Sequence, residues 1–136
     1  MSVIVTRNRV WDYAQGFLSR ANGVQVASPW ISPGVASVLA RRIPRGHLQI
    51  LTFPTSENSE SIRLFREYGH EVSVGPVHAK LIILQRHNQP WHAIFGSENL
   101  TGSHYDELVV SSTSLALNSQ LETSYSRFRS RCVRLC

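Results

Sequence analysis

A nearly continuous apolar run at residues 77–84 constrains the fold more than any other part of this sequence. Only His78 and Lys80 interrupt it. A short apolar run bounded by polar, turn-forming residues is typical of a β-strand that is buried on both faces. We therefore predict a central strand over residues 77–85, around which the rest of the chain is arranged.

The segments on either side alternate between strand-like and helix-like patterns. The pattern predicts further strands at residues 24–28, 47–53, 71–74, 91–95 and 108–111. Apolar residues at helical spacing predict helices at residues 10–21, 33–39, 62–68 and 115–128. The polar stretch at residues 86–90 predicts a hairpin between its neighbouring strands. This alternation indicates an α/β domain with a mixed sheet.

Length and charge limit the class of protein. The 136 residues fit one domain over 1–136, and arginines crowd a basic C-terminal tail at about residues 127–136. The net charge of +5 favours an anionic partner, most often nucleic acid, although an ordinary basic surface is the alternative. No apolar run approaches the ~20 residues that span a bilayer. We expect no signal peptide, no membrane partner and a cytoplasmic location.

The two cysteines lie in the basic tail. Cys132 and Cys136 have no further cysteine and no adjacent histidine to complete a zinc site. Free thiols are the simplest interpretation, and a disulfide between two subunits is left open.

His78 and Lys80 carry the strongest indication of chemistry. Residues i and i+2 of a strand point to the same face, so an imidazole and a cation would project side by side. The turn Gly96-Ser97-Glu98-Asn99, after the next strand, could add hydroxyl and amide donors. These groups suit attack on phosphorus and neutralisation of its oxygens. The pair alone is more typical of a structural histidine beside a lysine that extends to solvent, and the Gly96-Ser97-Glu98-Asn99 turn shifts the balance towards a site.

Together these residues resemble the phospholipase D superfamily, whose motif is H-x-K-x4-D followed by G-[GS]-x-N. The matching segments are His78-Ala79-Lys80 and Gly96-Ser97-Glu98-Asn99. Ser28-Pro29-Trp30-Ile31 is similar to the family's first βα turn, and the resemblance covers about residues 24–128. It implies a mixed central sheet flanked by helices on both faces. One departure is Gln85, which stands where the motif has aspartate and raises the possibility of a weak or inactive enzyme.

The resemblance also implies roles for individual residues. His78 would be the nucleophile and form a covalent phosphohistidine, while Lys80 and Asn99 would bind the non-bridging oxygens. Ser97 would donate a further hydrogen bond. Glu107 would accept the second ring N–H of His78 and orient the imidazole, with Asp106 as the alternative.

The family's mechanism needs two histidines, and this chain carries one copy of the motif. The resemblance therefore implies a two-fold homodimer with both copies of His78 in one site. It implies a metal-independent nuclease without cofactor, acting on DNA or RNA, with an inactive nucleic-acid-binding dimer as the alternative. Phosphatidyl transfer is a weaker third interpretation. We predict that Ser28, Trp30, Arg41 and Arg42 bind substrate, and we interpret the other histidines as surface or capping residues.

Overall fold

The computed structural model describes residues 3–8, 10–96 and 107–136, and for Arg7, Asn8 and Glu107 it describes the backbone only. Within these ranges the chain forms eight strands, four α-helices and two 3₁₀ turns. The strands are β1 (Val3–Asn8), β2 (Gly23–Ala27), β3 (Leu48–Thr52), β4 (Glu71–Val74), β5 (Leu81–Arg86), β6 (Gln89–Gly96), β7 (Glu107–Ser112) and β8 (Val133–Arg134). The helices are α1 (Val10–Gln15), α2 (Pro33–Arg42), α3 (Ser59–Glu67) and α4 (Leu115–Ser130), with 3₁₀ turns at Leu18–Arg20 and Ser56–Asn58.

The described strands form one mixed sheet. Their order is β1-β7-β6-β5-β2-β3-β4-β8. Strands β2, β3 and β4 are parallel to one another, joined by α2 and α3, and the remaining neighbours are antiparallel. The predicted mixed α/β sheet is therefore confirmed.

Helices cover both faces of this sheet, as predicted. Alternate residues of each strand face opposite sides. One face, which includes Val26 and Ile50, packs against α1, α2 and α3. The other face, which includes Leu51 and Ile83, packs against α4 through the fully buried ring of Tyr125. Two layers of helices therefore leave the strand ends as the open parts of the sheet.

The predicted central strand begins later in the sequence than expected. Strand β5 begins at Leu81, so His78 and Lys80 precede it and do not lie within it. The last residue pair between β2 and β5 joins Ala27 to Leu81. The next position of β2 that would hydrogen-bond to β5 is Pro29, which has no backbone N–H, and its carbonyl accepts from the side chains of Thr52 and Asn58. The predicted hairpin forms through a tight turn in which His87 and Asn88 have positive φ angles.

Three further features differ from the predictions. Strands β1 and β8 were not predicted, and α1 ends at Gln15 and is followed by a separate 3₁₀ turn. The interpretation of His92 as a surface or capping residue is wrong, because its side chain is buried against the ring of Phe17. His70 does act as a cap: its Nε2 donates to the carbonyl of Ala40, in the last turn of α2, at 2.9 Å.

Candidate active site at the His78 edge

Several strand ends meet at one edge of the sheet. The three parallel strands β2, β3 and β4 all end there, while the antiparallel neighbour β5 begins there. We call this the His78 edge, because His78 lies in the segment that joins β4 to β5. Clefts at the carboxyl ends of parallel strands are common ligand sites in α/β proteins.

His78 and Lys80 lie at this edge with different exposures. His78 is exposed to solvent, Lys80 is half-buried, and Val77 before them is buried among the residues that face α4. The N–H of Gly96 donates to the carbonyl of Lys80 at 3.4 Å, and Gly96 pairs with Val109 of β7. The end of β6 and the start of β7 are therefore brought beside Lys80.

A buried amide network shapes the loop that follows β2. The side chain of Asn58 is 1% exposed, and its Oδ1 accepts from the N–H of Ile31 at 3.1 Å. Its Nδ2 donates to the carbonyls of Pro29 at 2.8 Å and Phe53 at 3.0 Å. The hydroxyl of Ser61 adds a bond of 2.6 Å to the carbonyl of Ile31. These bonds tie the loop to the end of β3.

The network places a row of rings at the His78 edge. The ring of Trp30 lies 5.2 Å from that of Phe53, and the ring of Phe53 lies 5.5 Å from that of His78, each pair edge to face. Edge-to-face contacts at these distances are favourable and directional. Phe53 therefore packs against one side of the imidazole of His78, which is otherwise exposed within the described part of the chain.

Solved structures with the same architecture were found at low sequence identity. A phospholipase D family member, Nuc from Salmonella typhimurium, matches with a TM-score of 0.78 and 14% identity over 98% of this chain and 97% of its own. NucT from Helicobacter pylori matches with a TM-score of 0.74 and 14% identity over 98% and 99%. This chain has the fold of the phospholipase D family. The fold inferred from the motif is therefore confirmed.

Part of a DNA-binding archaeal protein also matches this chain in structure. TrmBL2, an archaeal chromatin protein, matches with a TM-score of 0.67 and 14% identity over 99% of this chain and 54% of its own. Comparison with protein-family models and with curated protein sequences gave no match. None of the helices in the described residues is long and apolar enough to span a membrane.

The phospholipase D fold brings some of the predicted site residues together. His78, Lys80 and Trp30 lie at the His78 edge. Ser28 is also there, but its side chain is fully buried and its hydroxyl donates to the carbonyl of Trp30 at 2.9 Å. Ser28 therefore supports the Trp30 loop from inside the protein.

Arg41 and Arg42 lie elsewhere. They end α2, which runs back from the His78 edge between β2 and β3, so both lie near the opposite edge of the sheet. The Nε of Arg41 donates to the hydroxyl of Tyr68, just after α3, at 3.2 Å. The structure does not bring either arginine to His78, and their part in substrate binding stays a prediction.

The rest of the predicted site falls outside the described side chains. Ser97, Asn99 and Asp106 lie in residues 97–106, beyond the described ranges. The chain enters that segment from Gly96 and leaves it at Glu107, the first residue of β7, so both of its ends are at the His78 edge. The roles of Ser97, Asn99 and Glu107 stay predictions.

Gln85, which stands where the family motif has aspartate, lies far from His78. In the sheet register Leu81 pairs with Ala27, at the His78 edge, and Gln85 pairs with Gly23 at the other end of β2. At the rise of a β-strand this places Gln85 roughly 16 Å from Lys80. Its amide donates to Gln25 at 3.0 Å and to the carboxylate of Glu122. Gln85 is therefore built into the sheet and α4, outside the immediate surroundings of His78.

Sequence reasoning missed two residues that shape this site. Phe53 was included only as the end of a predicted strand, and Asn58 lies in the polar stretch Ser56-Glu57-Asn58-Ser59 with no distinguishing pattern. A buried asparagine shows itself only once the loop that it bonds is known. Phe53 offered a weak signal, since it continues the strand to the edge where Ser28 and Trp30 follow β2.

Proposed function

We propose that this protein is a phosphodiesterase of the phospholipase D type that cleaves DNA or RNA. The observation that carries the proposal is the placement of an exposed His78, two residues before Lys80, at the open strand ends of a fold shared with Nuc and NucT. The matching sequence motif supports the same chemistry. The basic net charge of +5 supports a polyanionic substrate.

The proposed reaction has two steps in a homodimer. One His78 attacks phosphorus, and a P–N bond forms as the bond to the leaving oxygen breaks. The partner subunit's His78 donates a proton to that oxygen and then removes one from a water molecule. The water attacks phosphorus, the P–N bond breaks, and the first imidazole is released. In such a site one histidine is the nucleophile, and the other acts first as an acid and then as a base.

The remaining groups stabilise charge in this proposal. Lys80 and Asn99 neutralise the non-bridging oxygens, Ser97 donates a further hydrogen bond, and Glu107 orients the imidazole. No carboxylate within the described ranges forms an ion pair with Lys80. A half-buried ammonium with no counter-ion among the described residues favours an arriving phosphate. Because protein cations carry this charge, we expect the reaction to proceed without a divalent metal.

The proposal is tested by digestion of plasmid, single-stranded DNA and RNA in the presence of EDTA. Wild-type protein should cleave at least one of these substrates. The variant His78→Ala should lose at least about a thousandfold in rate, the scale for loss of a covalent nucleophile. The control is His87→Asn, which removes an exposed histidine from the hairpin turn and suits its positive φ. Equal rates for wild type and His78→Ala would reject the proposal.

A second candidate is a nucleic-acid-binding dimer without catalysis. The observation that favours it is the match to part of the archaeal chromatin protein TrmBL2, which is described as binding DNA. The replacement of the motif aspartate by Gln85 first suggested this candidate, although residue 85 lies far from His78. Electrophoretic mobility shifts with the same substrates separate the two candidates. Tight binding without cleavage by the wild type supports this second function.

A further inference from the structure

A groove opens beside His78 on the face of the sheet covered by α4. Its volume is about 400 Å³. One wall is the segment before β5, and the other is the end of α4 with the residue that follows it. The lining residues are Pro76, Val77, His78, Ala79, Phe128 and Arg131. The groove therefore leads from the candidate nucleophile to an arginine contributed by the C-terminal part of the chain.

Backbone pairing holds the Arg131 wall in place. Strand β8 pairs with β4, with Val133 opposite Val74, and the N–H of Leu135 donates to the carbonyl of Val72 at 2.8 Å. Gly75 packs so closely that a Cβ atom there would lie 2.9 Å from the Sγ of Cys132. The chain around Arg131 is thus fastened to the segment that carries His78.

Two neighbouring arginines are already paired, and among the unpaired arginines of the described C-terminal residues it is Arg131 that lines the groove. Arg129 forms an ion pair with Glu71 at 2.7 Å, and Arg134 reaches the same carboxylate at 3.5 Å. Arg131 is exposed, and no carboxylate in the described parts of the chain lies within ion-pair distance of it. Its guanidinium is therefore available to an anion in the groove.

We propose that Arg131 binds a phosphate next to the one attacked by His78, so that the groove guides the nucleic-acid strand away from the reacting centre. This inference rests on the proposed function. A guanidinium presents a planar fork of N–H donors that matches two phosphate oxygens, which makes arginine suited to this contact. Phe128, half-buried in the same wall, offers the strand an apolar surface between the two phosphates.

The contact is a substrate-binding one and should affect binding without affecting the reacting atoms. Each phosphate that a cation neutralises contributes about one counter-ion to the salt dependence of binding. Loss of Arg131 should therefore weaken binding of every sequence about equally and lower the slope of log Kd against log salt by about 1.

The experiment measures binding in the His78→Ala background, where cleavage cannot distort the result. Fluorescence anisotropy of a short fluorescein-labelled oligonucleotide, as single strand, duplex and RNA, gives Kd at several salt concentrations. Arg131→Ala should raise Kd about 3- to 10-fold at low salt and reduce the salt slope by about 1. Arg131→Lys should keep the salt slope of the parent protein.

The matched control is Arg127→Ala, which removes one exposed arginine from α4 outside the groove lining. It should leave the salt slope nearly unchanged. Equal effects of Arg131→Ala and Arg127→Ala, or no effect of either, would overturn the inference. If Arg131→Ala behaves as expected while the wild type cleaves nothing, the groove stands as a binding site and the nuclease proposal fails.

Discussion

At the scale of single residues, a buried histidine links the stability of this protein to pH. His92 is 5% exposed, its Nε2 is hydrogen-bonded to the hydroxyl of Ser111, and its Nδ1 has no partner among the described residues. Burial lowers the pKa of His92 below the ordinary value of 6.5. Burial also lowers the pKa of His70. Burial thus favours the neutral form of both rings in the folded state.

The sign of the effect follows from proton binding. Between pH 6.5 and the lower pKa of the folded state, the unfolded chain binds a proton on His92 and the folded chain does not. The free energy of unfolding should therefore fall as the pH falls through this window. His92→Gln should make the fall shallower, by at most about 1.4 kcal/mol per pH unit. Urea unfolding of both proteins at a series of pH values measures this dependence of the free energy of unfolding on pH.

The control for this prediction is His87→Asn, because His87 is exposed in the hairpin turn and its replacement should leave the pH dependence unchanged. A pH dependence of His92→Gln as steep as that of the wild type would assign the acid sensitivity to other groups. His70, whose Nδ1 also has no partner within the described ranges, would then be the next candidate.

Individual residues also show how far the sequence could predict the site. The spacing of His78 and Lys80 was enough to predict them as candidate site residues, because a nucleophilic imidazole close to a cation indicates phosphoryl chemistry. The positioning of His78 was not predictable. It depends on Phe53 and on hydrogen bonds from Asn58 to a loop about 29 residues earlier, contacts that exist only after β2 and β3 pair.

At the scale of elements, a row of amide side chains crosses the sheet at the edge opposite His78. Gln85 of β5 donates to Gln25 of β2 at 3.0 Å, and Gln25 donates to Gln49 of β3 at 3.3 Å. The row is joined to α4 through the carboxylate of Glu122. It therefore connects three strands and a helix on the face where Tyr125 is buried.

This row predicts the effect of restoring the motif aspartate. Gln85→Asp should destabilise the protein by about 1–3 kcal/mol, because it removes the amide donor and faces Glu122 with a second carboxylate. It should not raise the rate of any cleavage, since residue 85 lies far from His78. Thermal unfolding and the digestion assay measure the two effects.

The same substitution at Gln89, which is exposed on β6, provides the control and should change stability little. A Gln85→Asp protein that keeps its stability and cleaves faster would show that the motif aspartate acts on the reaction from a distance. It would also show that the amide row is dispensable.

Elements differ in how well the sequence predicts them. Strands β2 to β7 are predictable from their apolar residues, because helices bury these strands on one or both faces. Strand β8 consists of two exposed residues at the edge of the sheet and has no apolar signal. It forms because the chain that leaves α4 lies beside β4 and pairs with it. Pairing that depends on a tertiary contact leaves no pattern in the local sequence.

At the scale of the whole molecule, the proposed reaction requires more than one chain. Each chain carries a single H-x-K segment, and His78 lies exposed at an open edge of the sheet. A two-fold axis close to this edge would place two imidazoles on opposite sides of one phosphorus atom. The pairing of acid and nucleophile then becomes a property of the dimer.

A mixing experiment tests this assembly, using wild-type chains co-expressed with an excess of His78→Ala chains. If both imidazoles are needed, each mixed dimer is inactive, and at equal amounts the rate per wild-type chain should fall to about half. A larger excess should nearly abolish the rate. Excess His87→Asn chains should instead leave the rate per total chain unchanged, because they supply an intact His78. A rate per wild-type chain that is insensitive to His78→Ala partners would mean that one chain reacts alone, and a monomeric protein by sedimentation would agree with that result. The acid that protonates the leaving oxygen would then have to be sought within a single chain.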